Sequence, residues 1–460
     1  VSSVDDSPEN PDRPTGFWPL ERVVVRGLLG NPRELVLELE PDITVLTGEN
    51  GSGKSTLLRA INLAGTGDWY SFSSLPLEFM TLVFSGGYEL QIDNQFEPPT
   101  LQGGRHDPWT PPELEPDEPG GERPTLSAES ELEWLRLEEE RYLSREFAES
   151  EEFRNRLAHR QTGQQRRGVE GDPVELDRPE WVKEFEQGVR IAFVTTRRLE
   201  DVRRLRYPGR VRTFKADQPR SRIELLSDSL IKTARAEIIR FTEASNKADR
   251  DFPQKVVKAM EIPGPISPES LELEVESLEG EVRELAASLS RVGLLPGARD
   301  EVLATEARGK SDAVLLFLRE FYSDRLSRLL ELDELKRVLE VFSAFAADRF
   351  SGKQVSVSAS EGLVVTLDSG NRIEPHKLSS GEQQLIVIAY QLLFRTKPGS
   401  VVLIDEPELS LHVSWLRGLI EAFREIGEIR QLQYLIATHS PSLVAGHDER
   451  ERSLDLLMSS

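Results

Sequence analysis

Short apolar runs bounded by turn residues alternate along this chain with segments of helical periodicity. Residues 43–47 (Ile-Thr-Val-Leu-Thr) read as a buried strand. Residues 401–404 read as another, preceded by the turn Lys397-Pro398-Gly399. Residues 433–438 form a third, and 190–194 a fourth. Further strands are predicted at 22–25, 35–39, 79–84 and 88–92. Val355 and Val357 alternate with serines, Glu361-Gly362 turns the chain, and 363–367 returns as the second arm of a hairpin. Two helical faces stand out. Ile386, Val387, Tyr390, Leu393 and Phe394 give an apolar side to a helix running from Glu382 to Phe394. Leu271, Val275, Leu278, Val282, Leu285, Leu289 and Val292 repeat at spacings of four and three, a heptad seam. Pro296-Gly297 ends that seam, and Val314, Leu318, Phe321 and Leu329 predict a returning helix.

These patterns divide the chain. Residues 1–18 are acidic, polar and proline-rich and read as a disordered tail. Residues 19–95 hold the first sheet region, and 96–189 a loop followed by a helical insertion. The loop is the Pro-, Gly- and acid-rich stretch 96–128, and a charged helix follows around Leu132, Leu135, Tyr142 and Leu143. Residues 190–222 combine the return strand with a basic segment, 223–350 are helical, and 351–460 return to the strand-rich body.

Chemistry concentrates at three strand ends. Gly48-Glu49-Asn50-Gly51-Ser52-Gly53-Lys54-Ser55 fits GxxxxGK[ST] and joins strand 43–47 to a helix beginning near Thr56. The glycines let the backbone point its N–H groups inward, where they and the positive helix end cradle phosphate. The phosphate-binding set is therefore Gly48, Asn50, Gly51, Gly53, Lys54, Ser55 and Thr56. Lys54 is expected to reach the β and γ phosphates, and Ser55 to ligate Mg²⁺. Strand 401–404 ends in Asp405-Glu406-Pro407-Glu408. Asp405 stands where open α/β sheets bind ligands and is expected to hold Mg²⁺ through water. Glu406 is then placed to polarise an attacking water. His439, at the end of strand 433–438, is expected to hydrogen-bond the γ-phosphate or that water. His412 reads as a helix-start contact and His447 as a surface residue.

The segments Leu378-Ser379-Ser380-Gly381-Glu382-Gln383-Gln384-Leu385, then 403–415, then Ala437-Thr438-His439-Ser440-Pro441 occur in one order. In that order the chain resembles the ABC-type AAA family ATPases of the RecF, OLD and SMC kind, well over 20–90 and 340–445 and loosely between. The resemblance implies an α/β P-loop NTPase of ABC type, a mixed sheet with an antiparallel β subdomain and a large helical insertion. It also implies ATP as ligand, Mg²⁺ as cofactor, and an ATP-dependent homodimer whose two heads close over two nucleotides. Ser379, Ser380 and Gly381 resemble the signature that caps the γ-phosphate held by the other protomer. Ser380-Gly381 opens a helix, so a positive helix end faces the anion. Ser410-Leu411-His412 resembles the D-loop, with Ser410 also a candidate helix N-cap. One departure stands out. Where the family carries a glutamine after the strand at 190–194, this chain has Thr195-Thr196-Arg197-Arg198-Leu199. Arginine cannot ligate a cation, so either the alignment slips by a residue or turnover is slow or differently triggered.

Composition then limits partners. The net charge of −23 argues against wholesale coating of nucleic acid. Residues 190–222 depart from it, with eleven Lys or Arg against three Asp or Glu. That segment offers three outcomes: contact with nucleic-acid phosphates, docking of an acidic protein surface, or simple solvation. The chain has no cysteine, which removes disulfides, cysteine zinc sites and thiol catalysis. No apolar run reaches the ~20 residues of a membrane span, and no signal peptide is recognisable, so a cytoplasmic location is expected. The heptad segment reads equally as a lid or protein dock and as an ordinary amphipathic core helix. OLD-type relatives carry a nuclease domain after the histidine segment, which this sequence lacks, so a separate effector such as a nuclease is expected. The functional expectation is an ATP-hydrolysing switch that drives or licenses a nucleic-acid-related effector of the phage-defence or repair type. The alternative is a nucleotide-gated scaffold with negligible turnover that binds and releases a protein partner.

Overall fold

The computed structural model describes residues 18–96, 98–104, 106–111, 179–194, 222–261, 267–295, 309–358 and 361–459. Residues 1–109 with 180–460 form one compact unit and 110–179 a second; the architecture below belongs to the first. The tail at 1–17, the charged helix around Leu132, the segment around Arg197 and the basic residues from Arg198 to Arg220 lie outside the described residues.

The chain begins with β1 (Leu20–Arg26), β2 (Glu34–Glu38) and β3 (Ile43–Thr47). Helices α1 (Lys54–Thr66) and α2 (Trp69–Ser73) follow, then β4 (Phe79–Phe84), β5 (Tyr88–Asp93) and β6 (Thr100–Gly103). Helix α3 (Glu180–Gly188) leads to β7 (Ile191–Val194). The helical region comprises α4 (Arg222–Glu261), α5 (Pro268–Arg291), α6 (Asp312–Leu330) and α7 (Asp333–Ala347). A hairpin of β8 (Lys353–Ser358), β9 (Gly362–Leu367) and β10 (Arg372–Ile373) precedes α8 (Ser380–Tyr390). The chain closes with β11 (Val401–Asp405), α9 (Val413–Leu416), α10 (Leu419–Arg430), β12 (Gln433–Ala437), α11 (Pro441–Val444), β13 (Glu451–Ser453) and α12 (Leu454–Ser459).

Three sheets result among the described residues. One is parallel, in the order β13-β3-β12-β11-β7. One is antiparallel, in the order β2-β1-β4-β5-β6, and the third is the antiparallel hairpin sheet β10-β9-β8. The parallel sheet is covered on both faces, which is why its strands read as continuous apolar runs. Ile43, Val45, Val402, Ile404, Tyr434 and Ile436 point into a core shared with the helical region. Their neighbours Leu46, Val401, Leu403, Leu435 and Ala437 point into a second core with α1 and the antiparallel sheet. The period-two alternation of side chains thus ties the two halves of the molecule to one set of strands.

Several expectations change. The stretch read as a loop from residue 96 contains β6, which pairs with β5 and buries Leu101 completely. Its signal was only four residues long and sat among Pro and Gly. Gly103 is required there because a Cβ would lie 2.4 Å from the Trp181 ring. The helix expected to reach Phe394 changes at Gln391 into a single wider π turn, Gln391–Arg395. In the heptad segment Leu271, Val275, Val282 and Leu289 are buried, and α5 packs along α6. Of the returning helix, Leu318 and Leu329 are buried but Val314 is exposed. The helical region also holds a polar cluster: Lys255 of α4 meets Asp324 of α6 at 2.6 Å, and Arg328 binds both Asp324 and Asp249.

Candidate functional site

Three parallel strands end together. Thr438 N donates to Leu46 O at 3.0 Å, and Glu406 N donates to Ala437 O at 2.8 Å. These bonds carry the ladders of β3, β12 and β11 one step past their strands and so align the loops that follow. Beyond β3, Gly48, Gly51 and Gly53 take φ of 154°, 83° and 103°, conformations that side chains resist and that fold the loop over the start of α1. Lys54 is the first residue of α1, so its side chain lies beneath the loop and is 4 % exposed. Its ammonium donates to Gly48 O at 2.9 Å and Glu49 O at 3.0 Å. Burial pulls the Lys54 pKa below the usual lysine range, and the fields of Asp455, Asp405, Glu406 and Glu408 work against that pull.

His439 sits between the lysine and the acid turn. Its Nδ1 lies 3.4 Å from Lys54 Nζ, and its Nε2 lies 3.7 Å from Glu406 Oε1. Lysine has only protons to give, so this contact is satisfied when Nδ1 accepts and the neutral ring carries its proton on Nε2, toward Glu406. Glu406 has φ of +50°. A left-handed backbone at a residue with a Cβ costs about 1–2 kcal/mol, and the bonds from neighbouring strand ends hold it there. Lys54, Glu406 and His439, named separately from sequence, therefore meet at one place.

Glu408 was read only as part of an acidic turn, yet it anchors this arrangement. Its Oε1 accepts from Thr438 Oγ1 at 2.6 Å and from His439 N at 2.9 Å, tying the loop after β11 to the loop after β12. Residue type does not signal this role, because a carboxylate in Asp-Glu-Pro-Glu looks the same whether solvated or bridging. The end of the chain was a second omission. The hydrophobic pattern predicts no element after Pro441, but β13 pairs in parallel with β3, and α12 follows it. Glu451 accepts from Thr47 Oγ1 at 2.7 Å, and Asp455 Oδ2 accepts from Glu49 N at 2.8 Å. A cavity of about 290 Å³ opens beside the loop, lined among others by Gly48, His439, Ser440, Asp448 and Glu451.

The donor set fits a nucleotide triphosphate with a hard cation. Glycine-permitted loop geometry, a helix N-terminus and a buried lysine suit phosphate. The Ser55 hydroxyl and the Asp405 carboxylate are oxygen donors of the kind Mg²⁺ prefers. Asn50 is exposed on the loop, and Thr56 continues α1.

Ser379, Ser380 and Gly381 are held differently. Ser379 is the N-cap of α8 and shares a capping box with Glu382. Lys353 of β8 holds Glu382 through both carboxylate oxygens at 2.7 and 2.8 Å. Burial works to raise the Glu382 pKa, but bonds from Lys353 and Ser379 outweigh it and keep the carboxyl below its usual range. Gly381 lies against the next loop: a Cβ there would stand 2.8 Å from Ser410 O. Ser410 itself has φ of +67° and does not cap a helix; His412 caps α9, accepting from Ser414 N at 3.3 Å. The His412 expectation therefore fits and the Ser410 one does not. His447, expected at the surface, is instead partly buried, with its side chain 14 % exposed and Nε2 3.0 Å from Glu421. Among the described residues, no helix is long and apolar enough to cross a membrane.

A family model described as AAA domain, putative AbiEii toxin, Type IV TA system, matches residues 43–445. No curated protein matches the chain. Similar solved structures include the Smc head domain with an extended coiled coil bound to the C-terminal domain of ScpA from Pyrococcus furiosus. It is 13% identical with a TM-score of 0.38, covering 93% of this chain and 92% of that one. The SMC head domain from Thermotoga maritima is 13% identical with a TM-score of 0.35, covering 93% of this chain and 91% of that one.

Proposed function

Because the chain belongs to the AAA domain family described as a putative AbiEii toxin of a type IV toxin–antitoxin system, we propose that it is a Mg²⁺-dependent ATPase whose two heads close on ATP. The observation that carries this reading is the convergence of Lys54, Glu406 and His439 from three adjacent strand ends. Lys54 binds the β and γ phosphates after releasing one of the loop carbonyls it holds. Gly48, Asn50, Gly51, Gly53, Ser55 and Thr56 supply the cradle. Ser55 and Asp405 hold Mg²⁺, which when bound neutralises phosphate charge. Glu406 orients and deprotonates the attacking water. His439 donates from Nε2 toward the γ-phosphate, while Glu408 fixes the His439 backbone. Ser379, Ser380 and Gly381 act on the nucleotide of a second copy of the chain, which makes the working form a homodimer.

Closure of the heads would move the helical region and license a separate effector that acts on nucleic acid; the basic segment 190–222 is the proposed contact for nucleic acid. A toxin–antitoxin description fits an ATPase that works with a second gene product. One feature favours a second reading. Arg197 stands where relatives of this kind carry a glutamine, which fits a nucleotide-gated scaffold with little turnover.

Steady-state hydrolysis by the full chain and by Glu406→Gln, each with and without double-stranded DNA, separates the two. Loss of a general base typically lowers the rate by ~10²–10⁴. DNA-stimulated turnover that Glu406→Gln abolishes is the expected result. Tight ATP binding without turnover in either protein selects the scaffold, and absence of binding contradicts both.

A further inference from the structure

The last described elements of the chain lie outside the segment that the family model matches, which ends at residue 445. They are nonetheless fastened along the nucleotide strand. Arg450 Nη2 binds Asp42 Oδ2 at 3.0 Å just before β3, and Arg452 binds Glu40. Glu451, Arg452 and Ser453 pair with Val45, Leu46 and Thr47. Leu454 is fully buried, and Arg33 Nη1 donates to Met458 O at 3.0 Å. These contacts leave the Asp455 carboxylate little freedom. It accepts from Glu49 N at 2.8 Å, and its Oδ2 would lie 3.2 Å from a Cβ on Gly48. The carbonyls on either side of that N–H, Gly48 O and Glu49 O, are the acceptors of the Lys54 ammonium. One short stretch of backbone is therefore held by a carboxylate through its N–H and by the phosphate-binding lysine through its carbonyls.

We propose that Asp455 is a positioning residue of the phosphate loop, with two separable effects. Its hydrogen bond orders the Glu49 peptide. Its negative charge, one peptide away from the carbonyls that hold Lys54, opposes the arrival of nucleotide phosphates. The strap formed by β13 and α12 thereby sets nucleotide affinity. This inference rests on the nucleotide-binding reading for its second effect and not for its first.

Asparagine separates the two effects, since it keeps an oxygen acceptor for Glu49 N and removes the charge. Full-length wild type, Asp455→Asn and Asp455→Ala are titrated with magnesium and the non-hydrolysable analogue adenylyl-imidodiphosphate at low and high salt. Amide exchange at Glu49 is measured in the same proteins without nucleotide. Asp455→Asn is expected to bind about three- to tenfold more tightly than wild type, with the gain shrinking as salt screens the charge. It should keep Glu49 protected. Asp455→Ala is expected to bind more weakly than Asp455→Asn and to exchange Glu49 about tenfold faster or more. Equal affinity of Asp455→Asn and wild type at both salts overturns the charge effect, and unchanged Glu49 exchange in Asp455→Ala overturns the ordering effect. If the alanine variant fails to fold, the affinity of Asp455→Asn decides the charge effect and Glu49 exchange in Asp455→Ser decides the ordering effect. A wild type that binds no nucleotide overturns the functional reading, while the exchange measurement still judges the ordering effect.

Discussion

The two regions proposed to face phosphate are built in opposite ways. The first, around Lys54, grows from the ends of three parallel strands whose side chains are buried on both faces. Its parts reach one another directly: lysine to histidine at 3.4 Å, histidine to glutamate at 3.7 Å. The second, around Ser379 to Gly381, is a single helix start. A capping box and the Lys353–Glu382 pair hold it, with Ser410 close behind Gly381. Among the described residues, the side chain of Ser379 bonds within its own capping box. On the proposed reading, the first region is the cradle and the second is the cap. That difference is the physical basis for proposing that the working site is shared by two copies of the chain.

Substitutions should separate the two regions. The largest effect is expected from Lys54→Ala. A charge-assisted contact is worth about 1.5–3 kcal/mol, so nucleotide affinity should fall by about ten- to 150-fold. Calorimetric titration with a non-hydrolysable ATP analogue measures it, and near-normal affinity would break the assignment of the first region. Next comes Gly381→Ala. The added methyl meets Ser410 O at 2.8 Å, so the start of α8 must shift. Turnover and ATP-dependent dimerisation should drop about tenfold or more, while nucleotide affinity of the monomer stays within about twofold of wild type. A parallel loss of affinity would erase the distinction between cradle and cap.

The smallest effect concerns stability. Lys353→Ala leaves the buried Glu382 carboxylate without its cation, which should cost about 1–3 kcal/mol in chemical denaturation at neutral pH. The pH dependence has a definite sign. The Glu382 carboxyl titrates lower in the folded chain than the 4.5 of an unperturbed glutamate. Its contribution is therefore fully present above that value and is lost as pH falls through the lower folded value. Lys353→Ala should flatten this acid limb of the stability curve. An unchanged limb would show that Lys353 does not hold the carboxylate ionised.

The segments proposed as cradle and cap stand out in the sequence because each couples a turn-bounded apolar run to residues of narrow chemistry. Gly48 to Ser55, Asp405-Glu406, His439 and Ser379 to Gly381 all fall at the ends or starts of elements with strong hydrophobic patterns. What escaped lacks that coupling. Residues 451–453 are Glu-Arg-Ser and half-buried, so β13 carries no strand signal; it exists because β3 offers it an edge. Leu101 is the one large apolar side chain of β6, and Pro and Gly nearby masked it. Glu408 and Asp455 act through hydrogen bonds to backbone that is remote in sequence, and residue type alone does not encode them. Ser410 looked like a helix cap because it is a serine before a helix, but its left-handed backbone moved that role to His412.

The claim that the site is shared is tested most directly by mixing the two inactive variants. Lys54→Ala retains a sound cap, and Gly381→Ala retains a sound cradle. In a random mixture about half of the dimers are mixed, and each mixed dimer contains one site with both parts intact. The account expects ATP turnover to recover to about a quarter of the wild-type rate. A mixture no more active than its two components, under conditions where wild type dimerises on ATP, would contradict it.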